Sequence, residues 1–78
     1  MDIAERIKRA RVEAGYHKQG DFARALGVSQ KTVSGWEHGV MPSRRNLRRI
    51  AELTGRSLWW LEHGEEAPAS LPPDLTVR

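Results

Sequence analysis

Residues 19–39 read QGDFARALGVSQKTVSGWEHG. Phe22, Ala23 and Leu26 recur at the spacing that lines one face of a helix, and Val33 and Trp36 repeat the pattern further on. Between the two runs stand Gly27, Val28 and Ser29. Glycine takes the left-handed conformation that ends a helix without steric cost, and serine is a preferred N-cap. The stretch therefore reads as two short helices, Gln19–Leu26 and Gln30–Glu37, joined by a tight turn that Val28 plugs. Ala23 has to be small because the second helix crosses close to it, and Gly20 weakens the first turn of the first helix.

Gly35 lies inside the second of these helices, where glycine costs about 1 kcal/mol relative to alanine. At 100° per residue, holding Val33 and Trp36 inward sends Lys31 and Gly35 outward, with Ser34 near them and Gln30 and Thr32 flanking. None of these five residues is acidic, and most are small or hydrogen-bonding. Such a surface suits a helix lying in a DNA major groove, where glutamine can bond bidentately to adenine and lysine can donate to guanine. Gln30, Lys31, Thr32, Ser34 and Gly35 are accordingly the expected base contacts, and Gly35 is expected to let the helix approach bases or phosphates closely.

The flanking sequence extends the helical pattern. Asp2 and Glu5 have capping-box spacing, Ile3, Ile7, Ala10 and Ala14 recur at helical intervals, and Gly15 stops the run. Pro42 and Ser43 precede a helix from Arg44 to about Thr54 that Gly55 ends, and Ser57 caps a last one over Leu58–His63. Residues 65–78, EEAPASLPPDLTVR, are rich in proline, alanine and acid with little periodicity. The expected architecture is all-α: a five-helix domain over residues 1–64 followed by a tail or linker over 65–78.

Composition narrows the function. Seventy-eight residues allow one small core, and the absence of cysteine removes both disulfides and Cys-based zinc sites. No apolar run spans a bilayer and no signal-peptide pattern is present, so a cytoplasmic chain is expected. The net charge of +3 is unevenly spread: residues 1–56 hold twelve Lys/Arg against six Asp/Glu, whereas residues 57–78 hold one against four. A basic body points to a polyanionic partner. Arg44 and Arg45, at a helix N-terminus, are the expected phosphate neighbours, ahead of Arg48 and Arg49. Trp59 and Trp60 lie 100° apart and cannot both face one core. His17, His38 and His63 lack ligand spacing, and no nucleophile–base pair, phosphate loop or paired carboxylate suggests catalysis. No metal, cofactor, membrane or small-molecule substrate is expected.

The layout resembles the helix-turn-helix domain of the phage repressor and Cro family. The likeness rests on RIKRARVEAGY, the Q-x-x-F-A-x-x-L-G-V-S stretch from Gln19, V-x-x-W-E-x-G from Val33, Pro42-Ser43 and the final L-W-W-L-x-x-G. It implies a five-helix domain that binds operator DNA as a homodimer and regulates transcription. By the same resemblance, Gln19 contacts a phosphate and braces the recognition helix, and Arg45 contacts the backbone or minor groove. Arg11 and Glu37 form a structural salt bridge, and Trp60 is a packed tryptophan. The sequence departs from the pattern at Lys18, where Ser or Thr usually caps the helix, at Glu62, usually apolar, and at Trp59, usually polar. Lys18 is an expected phosphate contact in exchange for the cap, and Trp59 and Trp60 are the expected dimer contacts. The function expected is a sequence-specific DNA-binding regulator, a repressor on a palindromic operator. The alternatives are an antitoxin or restriction-control regulator with the same domain, or an interaction module for an acidic protein.

Overall fold

A computed structural model of the chain describes residues 1–65. The proline-containing tail expected from residue 65 onward lies, but for its first residue, outside them. All regular elements among the described residues are helices: α1 (Ile3–Glu13), α2 (Gln19–Leu26), α3 (Gln30–Glu37), α4 (Arg44–Thr54) and α5 (Leu58–His63).

Four of the five helices start on a side-chain cap. The Asp2 carboxylate accepts from Glu5 N–H at 2.9 Å, and the hydroxyls of Ser29, Ser43 and Ser57 accept from Thr32, Asn46 and Trp60 N–H at 3.1, 3.2 and 3.0 Å. Each such cap contributes about 1 kcal/mol by satisfying a donor that the helix itself cannot. The exception is α2, where Lys18 occupies the N-cap without a side-chain bond. Its first turn therefore leaves backbone N–H groups to other acceptors.

The turn between α2 and α3 is fixed by two reciprocal backbone bonds. Gly27, at φ +75°, donates to Arg24 O, and Val28 N–H donates to Ala23 O at 3.0 Å. This is the Schellman arrangement, and it sets the half-buried Val28 against the core. A residue with a Cβ would be strained at this left-handed φ.

One core gathers all five helices. Ile7, Phe22, Val33, Ile50, Leu58 and Leu61 are its fully buried large side chains, and Ala10, Ala23 and Ala51 are the small residues that let the helices approach. Trp36 closes the α3 side at 3% exposure. Full burial of each large apolar side chain contributes roughly 1.5–3 kcal/mol, which a chain this short needs from most of them.

Arg6 also holds the fold together, although it is charged and buried. Its Nε donates to Leu61 O at 2.8 Å and its Nη2 to Glu62 O at 3.0 Å, while Nη1 donates to Met1 O. One guanidinium thus ties α1 to the last turn of α5, where carbonyls lack intrahelical partners. Arg56 lies 3.5 Å over the Trp60 ring, and Trp60 is buried to 8% exposure. Trp60 is spent inward, so it leaves the pair expected to form a dimer contact. Trp59 remains half-buried, its ring 4.1 Å from that of His63, and its buried Nε1 has no hydrogen-bond partner among the described residues.

Candidate nucleic-acid interface

Helix α3 is held from beneath by Val33 and Trp36 and from its C-terminal end by an ionic network. Glu37 receives Arg11 Nε at 2.7 Å, Arg11 Nη2 at 3.2 Å and Gln19 Nε2 at 3.0 Å. The Arg11 and Glu37 side chains are only 5% and 4% exposed. Arg11 Nη1 further donates to Tyr16 O and His17 O, which pins the α1–α2 connector to the same guanidinium. Gln19 thus braces α3 through its amide, and that amide NH2 is committed to the scaffold. The network also hides the one acidic charge of α3 from its surface.

The opposite side of α3 is open. Gln30 and Lys31 are exposed, and Thr32, Ser34 and Gly35 are partly so. Their surroundings differ in detail. The Gln30 amide leans toward the first turn of α2, where its Oε1 lies 3.6 Å from the point at which a Gly20 Cβ would stand. A methyl at Gly20 would meet Gln30 only at ordinary contact distance, so the space does not by itself require the glycine. Thr32 shares its hydroxyl with Ser29 at 2.9 Å. His38 Nδ1 donates to Ser34 O at 2.7 Å and lies 3.5 Å from the Ser34 hydroxyl. Lys31 is the unencumbered cation of the helix.

Gly35 requires a correction. Its missing side chain was expected to bare the helix toward a ligand, but the direction a Cβ would take meets Val40 of the same chain, with Cγ2 at 3.6 Å and Cβ at 3.7 Å. The loop is drawn back because His38 and Val40 N–H both donate to Gly35 O, at 3.1 and 2.9 Å. The loop, not open space, lies in front of this glycine, and a methyl there would touch it at ordinary contact distance. Val40 and Met41, two apolar residues that no helix uses, are 62% and 60% exposed beside α3. Sequence reasoning passed over them because a loop has no periodicity to single out a side chain.

The cations around α3 are not equivalent. Lys18 and Arg45 are exposed, whereas Arg44, which was expected to face phosphate, donates through Nη1 to Glu62 at 3.0 Å while staying 57% exposed. This pair gives Glu62 a reason to stand at a usually apolar position. Arg48 is exposed on α4 and Arg49 is half-buried, its Nη2 lying 3.7 Å from the Cβ direction of Gly27, on the α2–α3 turn. A shallow depression runs between α2 and α3, lined by Lys18, Gln19, Gly20, Asp21, Arg24 and Gln30. No helix among the described residues is long and apolar enough to cross a membrane.

Comparison with known proteins agrees with this geometry. The family model described as helix-turn-helix matches residues 7–61. Repressor protein CI of Enterobacteria phage phi80 is 39% identical over 77 residues, which cover 92% of this chain and 32% of the phage protein. The HTH-type transcriptional regulator PrtR of Pseudomonas aeruginosa is 42% identical over 68 residues, 87% of this chain and 26% of PrtR. The HTH-type transcriptional regulator DicA of Escherichia coli is 34% identical over 74 residues, 94% of this chain and 54% of DicA. The chain thus spans between about a quarter and about half the length of these relatives. No solved structure gives a significant match. With its turn built on Gly27 and Val28 and its α3 braced by Glu37, the chain belongs to the helix-turn-helix family of phage repressor and Cro type.

Proposed function

We propose that this chain is a sequence-specific DNA-binding regulator of transcription, a repressor that binds a near-palindromic operator as a homodimer in the bacterial cytoplasm. In this reading α3 lies in the major groove, with Gln30 and Lys31 reaching base edges and Thr32 and Ser34 beside them. Lys18, Arg45 and Arg44 neighbour the phosphates, and Gln19 reaches one through its free amide oxygen. Two copies would set their α3 helices about 34 Å apart in successive major grooves. Trp59, half-buried on α5, is the residue offered to the second copy.

The observation that carries this reading is the contrast between the two sides of α3. Its inner side is fixed by Val33, Trp36 and the buried Glu37–Arg11 pair, and its outer side exposes Gln30 and Lys31 with no acidic group. A phosphate-lined groove demands such a surface, since an exposed carboxylate there would be repelled. The relatives named as a repressor and as transcriptional regulators support the same assignment.

Selection of bound sites from a random duplex library tests it. The expected result is a symmetric consensus whose halves lie one helical turn apart, bound with an affinity that falls steeply with salt. The slope should be about −0.9 per phosphate neutralised. Failure to enrich any sequence, with no duplex affinity at low salt, would reject the reading.

A further inference from the structure

A lone exposed valine needs no explanation. Val40 is different because the chain holds it in place on the face of α3. Lys31 and Gly35 are four residues apart and share one side of the helix. Gly35 has no side chain to continue that row, and Val40 fills the direction in which one would project. The loop is anchored at both ends, by the Val40 N–H bond to Gly35 O at 2.9 Å and by the buried Pro42. The isopropyl group is therefore presented beside Lys31 at 62% exposure instead of swinging freely. Lys31, one turn before Gly35 on the same side of the helix, is an exposed cation, so a polyanion is the partner whose charge fits this edge.

From this placement we infer that Val40 is a specificity-determining residue that packs against the 5-methyl group of a thymine in each half-site. The inference rests on the DNA-binding reading above. An isopropyl group can neither donate nor accept a hydrogen bond. Among the features that base pairs present in the major groove, the thymine methyl is the one that an apolar group matches. Gly35 is part of the device: its Cβ direction already ends in van der Waals contact with Val40, so a long side chain at that position would compete with Val40 for the same space. The loop thus supplies a base-reading side chain that the helix omits.

Deoxyuridine substitution tests the inference, since it deletes the methyl and leaves base pairing intact. The full 78-residue chain is used to select its site, and each thymine of a half-site is then replaced in turn. The wild type should lose about fourfold in affinity at one position per half-site, the expected effect of one buried methyl. Val40→Ala should bind thymine and uracil duplexes equally at that position, and Val40→Ile should keep the discrimination. Melting curves check that both variants are folded. A wild type indifferent to every methyl would overturn the inference and leave the DNA-binding reading standing. So would a Val40→Ala variant with undiminished discrimination. Failure to select any duplex would overturn both.

Discussion

Glu37→Gln removes one charge and almost no volume, so its effect measures what the buried network contributes. The Glu37 carboxylate accepts three bonds, two from Arg11 and one from Gln19, at 2.7–3.2 Å. A glutamine offers one acceptor oxygen and one donor amide. If its oxygen faces Arg11 Nε, its NH2 meets Arg11 Nη2 and the Gln19 NH2. If it is flipped, the NH2 meets Nε. Either orientation sets donor against donor in a site whose side chains are 5% and 4% exposed, and Arg11 keeps its charge without a counter-charge. Breaking a buried pair in this way costs about 3–5 kcal/mol. The Tyr16 and His17 carbonyls still accept from Arg11, which argues for the lower end, about 3 kcal/mol.

That loss is large for a domain of this size. At about 0.05–0.15 kcal/mol per residue, the 65 described residues amount to a total stability of roughly 3–10 kcal/mol. Urea unfolding followed by far-UV circular dichroism should show the midpoint falling sharply, and the melting temperature should drop by about 12–24 °C. The loss should be nearly independent of salt, because a pair excluded from solvent is little screened. A loss under about 1 kcal/mol that vanishes at high salt would refute the reasoning, since that is how a solvated surface pair behaves.

Other substitutions probe separate parts of the structure. Gly35→Ala should stabilise the domain by about 1 kcal/mol, raising the melting temperature by about 4–8 °C, because its methyl meets Val40 at an ordinary contact distance; a destabilised variant would show that the loop cannot yield. Arg6→Ala leaves the Leu61 and Glu62 carbonyls without their donor and should cost about 2 kcal/mol or more, with faster amide exchange in α5 as the local readout. Gln30→Ala should relax preference at one base position of the selected site by about 1–3 kcal/mol while leaving affinity for random duplex unchanged. Arg45→Ala should weaken specific and random duplexes alike and lower the salt slope by about 1.

The helices were legible in the sequence because their ends are local. Serines 29, 43 and 57 and glycines 27, 55 and 64 act within three or four residues of where they stand, and the observed starts of α3, α4 and α5 and ends of α2, α4 and α5 coincide with those these caps imply. The inward choice of Val33 and Trp36 was legible for a similar reason, since one helical period decides it. Interactions closed by the tertiary fold were not, apart from the Arg11–Glu37 pair, which was expected only through the family resemblance. The Arg6 donors reach carbonyls 55 and 56 residues away, and no local pattern marks an arginine as buried when its neighbours Lys8 and Arg9 are exposed. Arg44 looked free until α5 returned Glu62 to it across 18 residues. Gly35 was misread because helical geometry gives the direction of a side chain but not what a following loop brings there.

The same distinction governs how the charge of α3 should be counted. In sequence the helix is neutral, with Lys31 balanced by Glu37, so its net charge alone does not mark it as a surface for an anion. In the fold the two charges are treated oppositely: Lys31 stays in solvent while Glu37 is withdrawn and neutralised by Arg11. The exposed face therefore carries a positive charge that the composition of α3 does not show. Placing Arg11 on α1 achieves this from beneath, so the compensating charge occupies none of the surface beside Gln30 and Lys31. An acid at the end of α3 is then no obstacle to a phosphate-lined partner, and the buried pair both fixes the helix and clears its outer side of negative potential. These two effects are separable by experiment. Glu37→Gln should weaken the fold and, because it leaves the Arg11 charge uncompensated beneath α3, raise low-salt affinity for random duplex; unchanged affinity would show that the pair does not govern the potential at the face.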